Sequence, residues 1–494
     1  MKILNFYGLV LKFFLAFILV ITIPFSIIAE NNDKPNVILF FVDDMGWVDT
    51  GVTGSDLYKT PNIDRLAKEG LLFTDAYSSS TVCSPTRASL MTGMSPERHR
   101  VTDWIGGWWS VWDEQRRSNY PIQPPEWTSE LELHHDTIAD ILKRAGYHTA
   151  LVGKWHLTPP SDDLEAIEPY FPQNRGFDVN ISGNRFGRPG SYFWPYQGNG
   201  PDAILANFPP PEKTTGQYLT DMKTNYVVRL IQQWKDDPFF IYIPYYQVHT
   251  PIQGRPDLVH HYRQILESGD TFLHTDPEYA AMVEVVDRSV GKVIAKLEEL
   301  GIEDNTLIIF TSDNGGLDRG DGTPTSNYPL REGKGTAYEG GVRVPAIVRW
   351  PGTIQAGAVS NEPIITHDFF TTILEVSGTE ANDEHMKNLD GISITPLFKN
   401  PTASLNRDAL YWHYPHYHIE GATPYTAVRA GDWKAIHFYE DDRIELYNLA
   451  EDLSEEYDLS KAMPEKAAEM RAMIEARRAE VGAQDPEPNP LFQE

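Results

Sequence analysis

Four short segments of this 494-residue chain lead into side chains suited to hold a hard cation and an oxyanion. Asp43 and Asp44 follow the apolar run "NVILFFV", and Asp313 and Asn314 follow "TLIIFTS". Three carboxylates and an amide brought together make an all-oxygen site of the kind that takes calcium or magnesium. Either pair alone reads equally as turn or capping residues. Two such pairs at strand ends of one sheet argue for a shared site. "HTALVG" leads into Lys154, Trp155 and His156, and "FFIYIPYYQV" into His249, Thr250 and Pro251. Beside a metal, lysine and histidine suit a tetrahedral oxyanion, whose charge they offset. Taken singly, they would be a solvated lysine and core histidines.

A nucleophile is still needed, and Cys83, the only cysteine, lies in "SSSTVCSPTRASLMTG". Pro85 suits the first turn of a helix starting there. The free N–H groups of that turn would cradle an anion, and Arg87, four residues on, shares the face of Cys83. A thiolate in that place would be nucleophilic, yet readily oxidised outside the cytoplasm.

These residues need a sheet to bring them together. Short apolar runs bounded by turn residues alternate with longer amphipathic segments such as "TPNIDRLAKEG", "TIADILKRAGY" and "AAMVEVVDRSVGKVIAKLEELG". That alternation predicts an α/β domain, a large doubly wound mixed sheet sandwiched by helices, with ligands at the carboxyl ends of its strands. Pro-, Gly- and Trp-rich insertions at about 101–130 and 158–215 are long enough to wall a site. Past about residue 405 the pattern becomes short strands and one helix, a small C-terminal antiparallel sheet with a covering helix. The expected division is 1–29, 30–404 and 405–494.

Residues 1–29 read as a signal peptide, with Lys2 and Lys12 flanking an apolar run that ends at Ala29. An uncleaved anchor is the alternative, although Pro24 interrupts the run. Cleavage would leave an exported chain, periplasmic or secreted, with no stable membrane insertion. The net charge of −28 excludes a nucleic-acid partner, which demands a basic face. An anionic substrate would have to enter a pocket whose local field opposes that of the whole molecule. Trp104, Trp108, Trp109 and Trp112 in "DWIGGWWSVWDE" could stack on sugar rings or form a satellite core under a loop. His413, His416 and His418 in "YWHYPHYH" could bind a transition metal or be neutral pocket histidines.

"CSPTR" resembles the C-x-P-x-R signature of the type I, formylglycine-dependent sulfatases. "NVILFFVDDMGW", "GYHTALVGKWHL", "HTP", "FTSDNGG" and "LREGKGTAYEGGVRVP" are similar to sulfatase blocks in the family's order, over roughly residues 35 to 460. The resemblance implies that Cys83 is a precursor of 3-oxoalanine (formylglycine), made by a formylglycine-generating or anaerobic sulfatase-maturating enzyme. The hydrated aldehyde would attack sulfur through one hydroxyl, and loss of the second hydroxyl's proton would then expel sulfate by carbon–oxygen cleavage.

The same resemblance places one Ca2+ on Asp43, Asp44, Asp313, Asn314 and residue 83. It makes Arg87, Lys154 and His156 donors to the diol, and sets His249 and Lys334 on the sulfate and leaving oxygen, with a weaker match near Ser182. It implies a sulfated poly- or oligosaccharide as substrate, such as an algal galactan, ulvan or a glycosaminoglycan. A phosphonate or phosphodiester hydrolase of the same superfamily is the alternative. A catalytically silent carbohydrate-binding protein would be expected to lack some of these residues, and none is missing.

Overall fold

The computed structural model describes residues 34–197, 217–270, 272–318, 320 and 323–493. The expected signal peptide and part of the second insertion lie outside them. Residues Lys34–Glu494 form one compact unit.

Eight strands make the main sheet: β1 (Asn36–Val42), β2 (Leu71–Phe73), β3 (His148–Val152), β4 (Val179–Ile181), β5 (Phe239–Pro244), β6 (Thr306–Ser312), β7 (Ala346–Arg349) and β8 (Ala358–Ser360). Their order is β8-β2-β7-β6-β1-β5-β3-β4. The five strands from β6 to β4 are parallel, and β7 runs antiparallel to both its neighbours, so the sheet is mixed. β1 lies between β5 and β6, in register with each from Val37 to Phe41. The chain thus leaves β1 toward both sides, and the switch point opens at the end of β1.

All seven residues of β1 are buried because both faces are covered. Ile38, Phe40 and Val42 join one core with the apolar faces of α1 (Pro61–Glu69), α4 (Leu219–Trp234) and α5 (Pro277–Leu300). Val37, Leu39 and Phe41 join the other with α2 (Cys83–Thr92), α3 (Ile138–Arg144) and α6 (Asp368–Ser377). Local chemistry sets the helix ends. α3 opens with a Thr137/Asp140 capping box, and α5 begins with Asp276 capping ahead of Pro277 and stops at Gly301 in the left-handed region.

The C-terminal sheet is the antiparallel meander β9 (Leu410–Tyr414), β10 (Tyr425–Ala430), β11 (Trp433–Phe438) and β12 (Arg443–Asn448), with α7 (Pro464–Val481) packed through Ala467, Met470 and Ile474 on Val428, Ala435 and Leu446. Its other face props the segment that enters α2. Trp412 Nε1 donates to the Ser78 carbonyl at 2.8 Å and Tyr425 OH to Thr81 Oγ1 at 3.3 Å. Lys434 Nζ, fully buried, lies 2.9 Å from both Glu339 and Glu455 and so ties β11 to the segment that leads into β7. Lys434→Met would leave two buried carboxylates with no shared cation. We expect a loss of about 3–5 kcal/mol, read as a lower urea midpoint with unchanged slope.

Candidate active site

The carboxyl ends of four adjacent strands converge. β1 delivers Asp43 and Asp44, β6 delivers Asp313 and Asn314, β3 leads to Lys154 and His156, and β5 leads to His249. Three residues here adopt the left-handed region without being glycine: Asp44 (φ 61°), His156 (φ 57°) and Ser182 (φ 65°). Such conformations gather where surrounding contacts over-determine the backbone, as at functional sites. At Asp44 one such contact is visible, its N–H donating to Asp313 Oδ1 at 3.1 Å.

Three carboxylates face three cations in a buried network. Lys154 Nζ donates to Asp43 Oδ1 and Oδ2 at 3.0 and 2.8 Å. Arg87 Nε and Nη2 donate to Asp313 Oδ2 at 3.0 and 2.6 Å, and Nη2 lies 3.6 Å from Asp43. Lys334 Nζ lies 2.6 and 2.8 Å from the two Asp44 oxygens and 4.0 Å from Cys83 Sγ. Burial alone would raise the Asp44 carboxyl, but Lys334, His249 and Lys154 outweigh it and hold it well below the usual range. Burial pushes the Asp43 carboxyl up against the pull of Lys154 and Arg87.

Asn314 Nδ2 donates to Asp44 Oδ1 at 2.8 Å, while its Oδ1 is buried without a hydrogen-bond partner. A buried orphan acceptor among carboxylates fits a cation better than it fits protein alone. Atoms of Asp44, Cys83 and His249 lie within 4.8 Å of one another, as do atoms of Asp43, Cys83 and Asp313.

Residue 83 is the first of α2, whose N-cap, Val82, offers no side-chain acceptor. The first-turn N–H groups are therefore open to an anion. Burial pushes the Cys83 thiol up, away from thiolate. His249 Nδ1 faces the Thr250 carbonyl at 3.0 Å, which leaves Nε2 toward Asp44 Oδ2 at 3.8 Å. Burial, reinforced by Lys334, holds that ring neutral, with a pKa of about 3.

His156 differs from its expected donor role. Its Nε2 pairs with the Ile105 carbonyl at 3.0 Å, and that bond requires the hydrogen on Nε2. The buried Nδ1 has no partner and is an acceptor. Ser182 Oγ, matched only weakly in sequence, reaches the Gly153 carbonyl at 3.4 Å.

Other neighbours carried no signal in the sequence. Asp103, buried, accepts from Tyr414 OH at 2.7 Å and from the Trp104 N–H at 2.8 Å. Burial raises its pKa to about 7. A carboxyl protonated in the folded state but ionised in the unfolded one costs stability as pH rises from about 4 to about 7. Asp103→Asn keeps the accepting oxygen and removes that ionisation. Its unfolding free energy, read from urea titrations, is expected to decline less than that of the wild type across this window, by up to roughly 4 kcal/mol.

Trp109, Trp112, Tyr120 and Tyr417 pack on one another with centroids 4.3–6.2 Å apart, a satellite core under the loop, whereas Trp104 lies 6.4 Å from His156. The three C-terminal histidines are no common metal site. His413 pairs with Thr426 Oγ1 and the Gln484 carbonyl, and His416 Nε2 pairs with Thr102 Oγ1 at 2.8 Å.

Residues 35–379 match the family described as Sulfatase, and residues 333–481 match N-sulphoglucosamine sulphohydrolase, C-terminal. A sulfatase of Formosa agariphila is 34% identical over 88% of this chain and 86% of its own. N-acetylgalactosamine-6-sulfatase of Mus musculus is 34% identical over 74% of this chain and 67% of its own. The crystal structure of Ps i-CgsB superposes with a TM-score of 0.72 at 29% identity, covering 90% of this chain and 92% of that one. A third of the residues shared with curated sulfatases along most of the chain, on a common fold, means that this protein belongs to the sulfatase family of the alkaline phosphatase superfamily and is a sulfuric ester hydrolase.

Proposed function

We propose that the enzyme removes sulfate from a sulfated carbohydrate, using residue 83 as formylglycine and one calcium ion. The observation that carries the site assignment is the convergence of residue 83, three carboxylates and the orphan Asn314 oxygen within a ring of fixed cations. Asp43, Asp44, Asp313 and Asn314 would hold the metal, whose charge lowers the pKa of a bound hydroxyl and offsets that of sulfate. The oxidised side chain at 83 would supply a hydroxyl nucleophile in place of a thiol.

The remaining steps belong to the chain's own side chains. Arg87, fixed by Asp313, and Lys154, fixed by Asp43, keep positive charge beside residue 83 in a buried setting where it acts strongly. His156 Nδ1, buried and without a partner, is an acceptor able to take a hydroxyl proton. Lys334 Nζ and His249 Nε2 flank Asp44 on the side of residue 83, where the Lys334 ammonium protonates the leaving oxygen and the neutral His249 Nε2 is an acceptor.

The carbohydrate assignment draws on the relatives. Curated ones include N-acetylgalactosamine-6-sulfatases, and Ps i-CgsB has been solved with k-i-k-neocarrahexaose. Among the described residues, no helix is long and apolar enough to cross a membrane. Export through residues 1–29, maturation by a formylglycine-forming enzyme and a domain boundary near residue 405 complete the proposal. Initial rates on sulfated oligosaccharides and on matched phosphate and phosphonate esters test it, with desulfated positions located by NMR. Faster turnover of the phosphorus esters than of every sulfate ester would overturn the substrate class.

A further inference from the structure

A second set of ligand atoms lies at the opposite end of α2 from residue 83. Glu132, His134 and His135 each present one ligand atom, and these atoms are all within 4.8 Å of one another. His135 is the most enclosed of the three, and His134 is exposed. Among the described residues, none of these side chains makes a hydrogen bond or an ion pair, although the rings of His134 and His135 touch with centroids 3.9 Å apart. Donor atoms held this close and left without protein partners are in a condition to ligate.

The backbone under them is held firmly. Buried Arg175 donates to the carbonyls of Leu131 at 2.7 Å and of His135 at 2.8 Å, and the His135 N–H donates to the Glu132 carbonyl at 3.2 Å. Thr137, two residues on, caps α3. Beside this turn a cavity of about 340 Å³ is lined by His134 and His135 together with Met94, Asn382, Glu384 and His385. His385 Nε2 lies 2.7 Å from the carbonyl of Thr92, the last residue of α2. The cavity is therefore at the negative end of that helix, where a cation is favoured. At 1.5 Å per residue, α2 puts it on the order of 15 Å from residue 83.

We propose that Glu132, His134 and His135 form a second metal site, for a zinc-type transition-metal dication. Two imidazoles and one carboxylate suit zinc, whereas calcium takes oxygen donors throughout, so the two proposed sites of this enzyme would select different ions. Three protein ligands leave a fourth position open, and the cavity has room there for water or for Glu384. The ion would anchor the turn ahead of α3 and stabilise the folded enzyme by mass action, without entering the sulfatase reaction.

The test uses the full-length, calcium-loaded enzyme dialysed against zinc chloride, with bound metal measured by elemental analysis, and cobalt chloride as a spectroscopic substitute. The wild type should retain one zinc beyond the calcium, show nitrogen-ligand d–d absorption with cobalt, and gain thermal stability with zinc. Glu132→Gln and His134→Ala, both at partly or fully exposed positions where folding is not at stake, should each lose that equivalent, the cobalt bands and the thermal gain, with sulfatase turnover unchanged. A wild type that retains no zinc, or a Glu132→Gln/His134→Ala double variant that retains as much as the wild type, would overturn the proposal.

Discussion

Cys83→Ala is expected to lower turnover by on the order of 10⁴- to 10⁶-fold, the scale of losing a nucleophile from a group that acts as a unit. No neighbour can replace it. Asp43, Asp44 and Asp313 are bound to lysine or arginine, and Lys154 and Lys334 are bound to those carboxylates in turn. Cys83 is 3% exposed, so relative to the unmodified thiol the change opens a space the size of one sulfur atom. That costs about 1 kcal/mol, which circular dichroism and a urea titration will separate from unfolding. Cys83→Ser is informative in another way. It retains a hydroxyl but no second oxygen on the same carbon, so a sulfate transferred to it cannot leave by carbon–oxygen cleavage. Mass spectrometry of the peptide containing residue 83 should show the aldehyde or its hydrate in the wild type and trapped sulfate in the serine variant. Full activity from protein carrying only the unmodified thiol would refute the assignment.

Removing the divalent ion should lower turnover and thermal stability together, and added calcium should restore both. The carboxylates of Asp43, Asp44 and Asp313 and the unpartnered Asn314 Oδ1 are buried in one place, so an ion bound there belongs to the folded state alone. At a hundred times its dissociation constant such an ion contributes about 2.7 kcal/mol, visible as a fall in melting temperature on exhaustive chelation. Asp313→Ala should go further. It removes a metal ligand and strands Arg87, which is 1% exposed, without its closest carboxylate. Breaking a buried pair from one side costs about 3–5 kcal/mol, so this variant should melt lower than chelated wild type. Unchanged turnover in a sample verified to be metal-free would remove the ion from the mechanism.

Most of the sheet was legible because its strands are covered on both sides. "NVILFFV", "TLIIFTS" and "FFIYIP" are continuous apolar runs, and each became a fully buried parallel strand. The charged pairs that interrupt those runs marked the carboxyl edge, so Asp43, Asp44, Asp313 and Asn314 were readable as a group before any geometry. α2 was harder to judge. "CSPTRASLMT" is nearly devoid of amphipathic contrast, and the small polar segment around Cys83 gave no reason to expect a core helix. All ten residues are buried, because a helix enclosed on every side has no solvent face to advertise. Its polar side chains bond inward instead, Ser84 to the His156 carbonyl and Ser89 to His99.

By itself the sequence determined the class of fold, and it marked the strand ends where acidic and basic side chains gather and the single cysteine proposed as the precursor of the nucleophile. These properties follow from local patterns of apolarity and from side-chain types. The tertiary structure alone decided the pairings. It set Tyr414 on Asp103 across 311 positions and Lys434 on Glu339 across 95, and it left His156 an acceptor by placing the Ile105 carbonyl against its other nitrogen. The same packing sent the loop tryptophans Trp109 and Trp112 into a satellite core with Tyr417. A hydrogen bond between distant segments depends on where two elements dock, and docking is set by the summed packing of their faces, which no short stretch of either segment records.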